Sequence, residues 1–222
     1  MSKLLYIHGM GGGRDSRIPK ILAEALAGKV EVIIRTYSFD PDEGAAEIAS
    51  WVEEVHPDLI VGESLGSIQA MRVCGIPHLY VSPSLGAPAR MGFLAALSLI
   101  PGMRLLFNHI WSPREGDRQA LDFRFGILRK YPSHGRKALQ NTPLLRGVNA
   151  AAKCDASFAF FGTHDHYRRS GVVSIRKWIK YFGPDTFTLY NGTHFMEEEY
   201  IHSLLIPKIL SSCAQSCKRQ HD

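Results

Sequence analysis

A serine flanked by two glycines follows a short apolar run, Leu59-Ile60-Val61. The sequence there reads Gly62-Glu-Ser-Leu-Gly66, and a segment with helical spacing follows it and ends at Gly75. This pattern predicts a strand, a sharp turn with Ser64 at its tip, and a helix. Such a turn lifts the serine hydroxyl off the edge of a sheet, where a substrate can reach it.

Steric constraints explain the two glycines of this turn. The serine at the tip must adopt a strained backbone conformation, and side chains two residues to either side would collide with the neighbouring strand and helix. The five-residue pattern alone is weak, because it occurs by chance in roughly one chain in ten of this size. The rest of the sequence must therefore supply the partners that a reactive serine needs.

A serine hydroxyl is a poor nucleophile at neutral pH. It needs a base that takes its proton, an anion that holds the base in one tautomer, and fixed donors for the oxyanion formed on attack. Candidates for these parts follow three other strand-like runs. They are His8-Gly9-Met10 after the first run, Asp165 after the fifth and His194 after the sixth.

Six short apolar or β-branched runs alternate with helical patterns, which predicts strands at these places. The runs cover residues 3–8, 30–37, 59–61, 77–82, 156–162 and 185–190. Strands that alternate with helices require a parallel sheet with right-handed crossovers. Reactive residues of such sheets cluster at the carboxyl ends of the strands, so the candidate residues are expected at one edge.

Residues 85–155 interrupt this alternation and contain no convincing strand. Two apolar segments, 91–100 and 103–111, are each too short to cross a membrane. Further helices are predicted near 117–130 and 134–140. We predict a single domain, residues 1–222, in which 85–155 form a helical insertion over one edge. Its apolar residues either complete the core or form a lid that lines a substrate pocket.

The composition excludes several classes of protein. The chain has 222 residues, of which 45% are hydrophobic and 21% are charged, and it is therefore predicted to be neither disordered nor membrane-embedded. Its net charge of +5 is mildly basic, but no nucleic-acid-binding signature is present. The first predicted strand begins almost at Met1, which leaves no room for a signal peptide. Together with four scattered cysteines, this predicts reduced thiols and a cytoplasmic location.

The chain resembles the α/β-hydrolase superfamily, and in its small size it resembles the small bacterial serine esterases of that group. The resemblance rests on the first strand with its His8-Gly9 loop, the turn at Ser64, Gly162-Thr-His-Asp165 and Gly192-Thr-His194. It implies a three-layer α/β-hydrolase fold with a mainly parallel sheet of about six strands. It also implies that the first two strands of larger members are absent and that 85–155 occupies the usual position of a lid.

The resemblance further implies a role for each site residue. Ser64 would be the nucleophile, His194 the general base and then acid, and Asp165 the acid that orients the histidine. The backbone N–H groups of Met10 and Leu65 would form the oxyanion hole. The glycine-rich sequence of the first loop leaves Gly11 as an alternative to Met10.

Each of the three side chains has a competitor. Ser82 also ends a strand but lacks the flanking glycines, Asp185 starts a strand at the wrong edge of the sheet, and His202 lies inside the predicted last helix. His164 and His166 could hold a metal ion, although adjacent loop histidines are more often exposed to solvent.

The sequence therefore predicts a serine hydrolase that cleaves carboxylic esters or thioesters through an acyl-enzyme, without a metal ion or organic cofactor. A non-catalytic binding protein and a hydrolase of amide, lactone or carbon–carbon bonds are the alternatives, because one fold hosts many reactions. The expected partner is a small-molecule substrate, with no nucleic acid and no stable membrane insertion, and a homodimer is left open. Basic residues after Asp165 favour a solvated surface, with a site for an anionic group such as the nucleotide of an acyl-CoA as the alternative. They are Arg168, Arg169, Arg176, Lys177 and Lys180.

Overall fold

The computed structural model describes residues 1–111, 116–146 and 156–219. Six strands form one sheet in the order β2-β1-β3-β4-β5-β6, and every neighbouring pair is parallel. The predicted parallel sheet of six strands is confirmed. The strands are β1 (Ser2–Ile7), β2 (Val30–Ile34), β3 (Leu59–Glu63), β4 (His78–Val81), β5 (Ser157–Gly162) and β6 (Phe187–Tyr190).

Helices cover both faces of the sheet, which gives the predicted three layers. Alternate residues of β1 point to opposite faces, so Leu4 and Tyr6 join one core while Leu5 and Ile7 join the other. The first core is completed by α1 (Arg17–Ala25) and by α10 (Glu198–Tyr200) and α11 (Ile206–Arg219) at the C-terminal end. The second is completed by α2 (Pro41–Val55), α3 (Gly66–Ala70) and α9 (Ile175–Phe182).

The insertion between β4 and β5 adds helices to the second core. They are α4 (Ala87–Leu97), α5 (Met103–Ile110), α6 (Phe125–Leu128), α7 (Tyr131–Gln140) and α8 (Pro143–Arg146). Met91, Phe107, Phe123 and Tyr131 are all buried in the same cluster as residues of α2 and α3. These residues of the insertion therefore belong to the core, while residues 112–115 and 147–155 lie outside the described residues. No helix in the described ranges is both long and apolar enough to span a membrane.

The predicted helix near 117–130 is wrong over its first half, since only α6 is helical there. Hydrogen bonds to the loop after β1 hold the chain there in an irregular conformation. Asp117 donates its N–H to the Asp15 carboxylate (2.7 Å), and Gln119 donates its N–H to the Gly12 carbonyl (2.7 Å). This stretch therefore packs along the loop after β1 and does not form a helix.

Two other helices differ from their predictions. α3 ends at Ala70, short of Gly75, because the Arg72 and Val73 N–H groups bond carbonyls only three residues back. A π-helical turn at Ile201–Leu205 separates α10 from α11 and precedes Pro207. The proline, which has no N–H to donate, is thus accommodated by a wider turn and does not end the helix.

Candidate active site

Ser64 lies at the tip of the turn between β3 and α3, with a backbone φ of 49°. This left-handed conformation is strained for a residue with a side chain. A Cβ atom at Gly66 would lie 2.2 Å from the His8 carbonyl oxygen, and one at Gly62 would lie 2.9 Å from the Ala70 Cβ. Both glycines are therefore required by close packing, against the end of β1 and against α3 respectively.

Gly66→Ala is expected to destabilise the protein by roughly 3 kcal/mol or more, because backbone atoms of β1 must move to make room. Gly126→Ala in α6 is the matched control, since a Cβ there meets nothing within 4 Å and its φ is not positive. The control should change stability by about 1 kcal/mol at most. Urea unfolding of the two variants checks this, and equal midpoints would show that the tight approach to β1 is not required.

The structure brings Ser64, His194 and Asp165 together at the carboxyl edge of the sheet. The His194 Nε2 atom lies 2.8 Å from the Ser64 Oγ, and its Nδ1 lies 2.7 Å from the Asp165 Oδ2. Because a carboxylate can only accept, Nδ1 carries the proton and Nε2 is free to accept the serine proton. The second Asp165 oxygen accepts the Tyr167 N–H at 2.8 Å, which fixes the carboxylate in place.

Two hydrogen bonds and one close approach to the sheet hold the loop that carries His194. The Tyr190 hydroxyl donates to the Thr193 carbonyl (2.9 Å), and the Thr193 N–H donates to the Glu197 carboxylate (2.9 Å). Burial alone would raise the pKa of Glu197, but the hydrogen bonds from Thr193 outweigh it and lower the pKa below its ordinary value. A Cβ at Gly162, the last residue of β5, would lie 2.2 Å from the Thr193 carbonyl oxygen. Glycine at that position therefore allows the histidine loop to approach the sheet.

The residues predicted to form an oxyanion hole line the same cavity as Ser64. The Gly11 N–H donates to the Gln119 side-chain oxygen at 3.2 Å. For Met10 and Leu65, no other described residue accepts their backbone N–H groups. This arrangement supports Met10 over Gly11 as the donor. Gln119 belongs to the insertion, and its role in holding the loop was missed in the sequence.

His8 lies beneath this loop and is fully buried. Its ring stacks on Tyr37 with 4.4 Å between centroids, and its Nδ1 lies 2.7 Å from the Gly9 carbonyl oxygen, to which it can donate. Burial, the largest cause, lowers the pKa of His8 to about 4. His8 is therefore neutral at pH 7 and supports the loop.

A second buried histidine, His134 on α7, also has a lowered pKa. Its Nε2 lies 2.9 Å from the Gln69 side-chain oxygen, and burial followed by the nearby Arg72 charge lowers its pKa to about 4. Below the ordinary pKa of 6.5, the unfolded chain binds protons at His8 and His134 while the folded chain does not. Stability is therefore fully present above this pKa and is lost as the pH falls towards 4.

Unfolding in urea at a series of pH values between 7 and 4 should show this loss. Each of the two histidines is expected to contribute up to about 3 kcal/mol to the decrease in the free energy of unfolding. His134→Gln keeps a polar partner for Gln69 but cannot be protonated, so its free energy should fall less steeply with pH. Identical slopes for the variant and the wild type would contradict the assignment to His134.

Asp185 and His202 lie away from the site, whereas His166 flanks it, with 6.4 Å between its ring centroid and that of His194. Asp185 is exposed and precedes β6, at the edge of the sheet opposite to Ser64. His202 is exposed in the π turn, 3.8 Å from the Glu198 carboxylate. His164 and His166 contact Thr163 and Tyr167, respectively. Within the described ranges, no group of three or more His, Cys, Asp or Glu side chains could hold a metal ion.

Ser84 and Tyr167 contact the site and were not predicted. The Ser84 hydroxyl lies 3.2 Å from the Ser64 hydroxyl, so Ser84 and not Ser82 reaches the turn from the end of β4. The Tyr167 ring lies edge-on to His194 with 4.6 Å between centroids. Only their positions in the sequence could have indicated these two residues. Ser84 follows the end of β4, the strand beside β3, and Tyr167 comes two residues after Asp165.

A cavity of about 820 Å³ opens above Ser64. The glycine-rich loop forms one wall, and the insertion supplies much of the opposite wall through Met91, Leu94, Trp111 and Phe123. Three arginines also line it: Arg17, Arg90 and Arg118. None of the five basic residues that follow Asp165 is among the residues that line it in the described chain.

Several solved structures are similar to this one over nearly the whole chain. A monoacylglycerol lipase of Paleococcus ferrophilus has a TM-score of 0.61 and 16% identity, over 96% of this chain and 94% of that one. Est1E of Butyrivibrio proteoclasticus has a TM-score of 0.60 and 15% identity, over 98% and 88%. The thioesterase domain from the curacin biosynthetic pathway has a TM-score of 0.57 and 16% identity, over 94% and 91%. No protein-family model matches the sequence, and no curated protein matches it. At these identities the likeness shows the fold alone.

Proposed function

Since this chain has the α/β-hydrolase fold, we propose that it is a serine hydrolase that cleaves carboxylic esters or thioesters. The observation that carries the proposal is the continuous series of hydrogen bonds from Ser64 through His194 to Asp165. A hydroxyl, an imidazole and a carboxylate in this order are the parts of a nucleophile, a base and an orienting acid. The strained backbone of Ser64 further supports a role in chemistry, because such strain clusters at functional sites.

In the proposed reaction, His194 takes the proton of Ser64 while the serine oxygen attacks the acyl carbon. The carbonyl oxygen becomes an oxyanion that accepts hydrogen bonds from the Met10 and Leu65 N–H groups. The bond to the leaving group then breaks, and His194 donates its proton to the departing alcohol or thiol. In the second half, His194 takes a proton from water, which attacks the acyl carbon. The bond to the Ser64 oxygen then breaks, and His194 returns the proton to this oxygen as the acid leaves. Asp165 stabilises the imidazolium in both halves.

The cavity favours a substrate with an apolar acyl group of medium size. Its wall from the insertion is apolar at Met91, Leu94, Trp111 and Phe123, so an alkyl or aryl chain loses its contact with water there. The cavity volume of about 820 Å³ lies in the range typical of small-molecule sites. The solved structures with this fold include a monoacylglycerol lipase and a thioesterase domain, which is consistent with either bond type.

A panel of p-nitrophenyl esters and acyl-CoA thioesters of graded chain length tests the proposal. The purified protein should hydrolyse esters, with the highest kcat/KM at an intermediate chain length and a loss at longer chains that exceed the cavity. If the exposed basic residues that follow Asp165 bind the nucleotide of an acyl-CoA, activity on thioesters should fall as salt is added while activity on esters should not. A folded protein that hydrolyses none of these substrates would contradict the proposal.

A further inference from the structure

The helices α4 and α5, with the segment between them, expose an unusual number of large apolar side chains. Six of these side chains are between 46% and 75% exposed to solvent. A concentration of this kind on one short segment marks an interaction site more often than an ordinary surface. We call residues 87–111 the α4–α5 hairpin. The six are Phe93, Leu99, Ile100, Leu105, Leu106 and Ile110.

α5 packs on the core through one face and exposes two adjacent leucines outside that face. Phe107 is buried, its ring lying 5.8 Å from that of Phe123, and Met103 one turn earlier also packs against the core. Leu105, on the opposite side of the helix, and Leu106, beside the buried face, are exposed. Ile110 lies on the same face as Met103 and Phe107 and lines the cavity above Ser64. The helix is thus anchored through Met103 and Phe107, while Leu105 and Leu106 stay exposed to solvent and do not pack in the core.

The charge of this segment has a single sign. Between Glu63 and Glu115 the sequence contains no acidic residue. Within the hairpin, Arg104 is exposed and supplies positive charge next to Leu105, while Arg90 lines the cavity and donates to the Ser170 carbonyl. Apolar side chains flanked only by basic ones match the interface of an anionic bilayer, where apolar groups enter the acyl boundary and cations meet phosphates.

The hairpin also borders the cavity above Ser64. Leu94 and Ile110 line that cavity, while Leu105 and Leu106 on the same hairpin face solvent. A surface that receives the hairpin would therefore lie beside the opening to Ser64.

We propose that the α4–α5 hairpin docks on an anionic lipid surface, with Leu105, Leu106 and their exposed neighbours in the interface and Arg104 at the headgroups. A second copy of this chain is a poorer occupant. Pairing of two copies through this surface would bring together two faces that both carry Arg104, without a carboxylate in the segment to compensate the charge. The proposal does not depend on catalysis, and it concerns docking on a surface and not insertion across it.

Vesicle flotation tests the proposal on Ser64→Ala protein, so that turnover plays no part. The probes are vesicles of phosphatidylcholine and vesicles of phosphatidylcholine mixed with phosphatidylglycerol. The double variant Leu105→Gln/Leu106→Gln should bind the anionic vesicles at least about tenfold more weakly, since glutamine keeps helix propensity but not apolar surface. The matched control is Leu144→Gln/Leu145→Gln, a second pair of adjacent exposed leucines, on α8, and it should bind as before.

A second set of binding measurements tests the contribution of charge to docking. Binding to the anionic vesicles should exceed binding to neutral ones and should weaken with added salt and with Arg104→Gln. Circular dichroism establishes that each variant is folded. The proposal is overturned if the parent protein does not bind anionic vesicles, or if both leucine pairs lower binding equally. It is also overturned if Leu105→Gln/Leu106→Gln changes only a monomer–dimer equilibrium, which would assign the surface to a second copy.

Discussion

Ser64→Ala is expected to abolish hydrolysis of any ester that the wild-type protein cleaves, with kcat falling by about a millionfold. The methyl group keeps the turn and leaves His194 and Asp165 in contact, but no atom remains to form the acyl-enzyme. Initial rates on the best p-nitrophenyl ester of the panel measure the effect. The urea midpoint of the variant should stay close to that of the wild type, which separates loss of chemistry from loss of fold.

Ser82→Ala and His202→Gln are the controls for this experiment. Ser82 ends the neighbouring strand, with a positive φ like that of Ser64, and His202 is exposed on the surface. Both variants should keep activity within a few-fold of the wild type. Wild-type turnover by Ser64→Ala would assign the nucleophile to another residue.

Asp165→Asn is expected to lower kcat by about four orders of magnitude at neutral pH. The asparagine amide no longer provides a charged acceptor for the His194 Nδ1 proton, so the imidazole loses its orientation and its preferred tautomer. The Tyr167 N–H can still bond the asparagine oxygen, which keeps the local turn folded. The measurement is again kcat on the best ester, read beside the urea midpoint.

Asp185→Asn is the matched control, because it removes the same charge from an exposed position before β6. It should leave kcat unchanged. An equal loss in the two variants would point to a general effect of charge and would contradict a specific role for Asp165.

The fold could be predicted from the sequence because each strand corresponds to a short run of apolar or β-branched residues. β-branched and apolar runs such as 30–34 and 157–162 are bounded by polar or glycine-rich segments, and each run became a strand. Once the sheet is parallel, its chemistry is confined to one edge. This constraint placed Ser64, Asp165 and His194 near each other before any distance was known.

Other parts depend on contacts between distant segments, which a pattern in one segment does not reveal. Residues 117–124 have helix-forming composition, yet hydrogen bonds to the loop after β1 hold them in an irregular conformation. Gln119 reaches Gly11 from more than a hundred residues away in the sequence. Ser84 and Tyr167 contact the site only because strand ends converge there.

The insertion illustrates a further limit of the sequence. Its apolar segments gave no way to decide between core and pocket lining, and the structure shows that different residues do different things. Phe107 is buried in the core, Leu94 lines the cavity, and Leu105 is exposed. Hydrophobicity alone cannot separate these three environments, because it does not say which face of a helix meets another element.

Covalent labelling by a fluorophosphonate probe tests the central proposal most directly. The probe phosphonylates a serine only when a base activates its hydroxyl and nearby donors stabilise the oxyanion. We expect stoichiometric labelling of the wild-type protein, with the adduct found on Ser64 by peptide mass spectrometry, and none in Ser64→Ala. Labelling should also be slow in Asp165→Asn. A folded wild-type protein that stays unlabelled would instead be a binding protein on a hydrolase scaffold, and an adduct on another residue would place the nucleophile elsewhere.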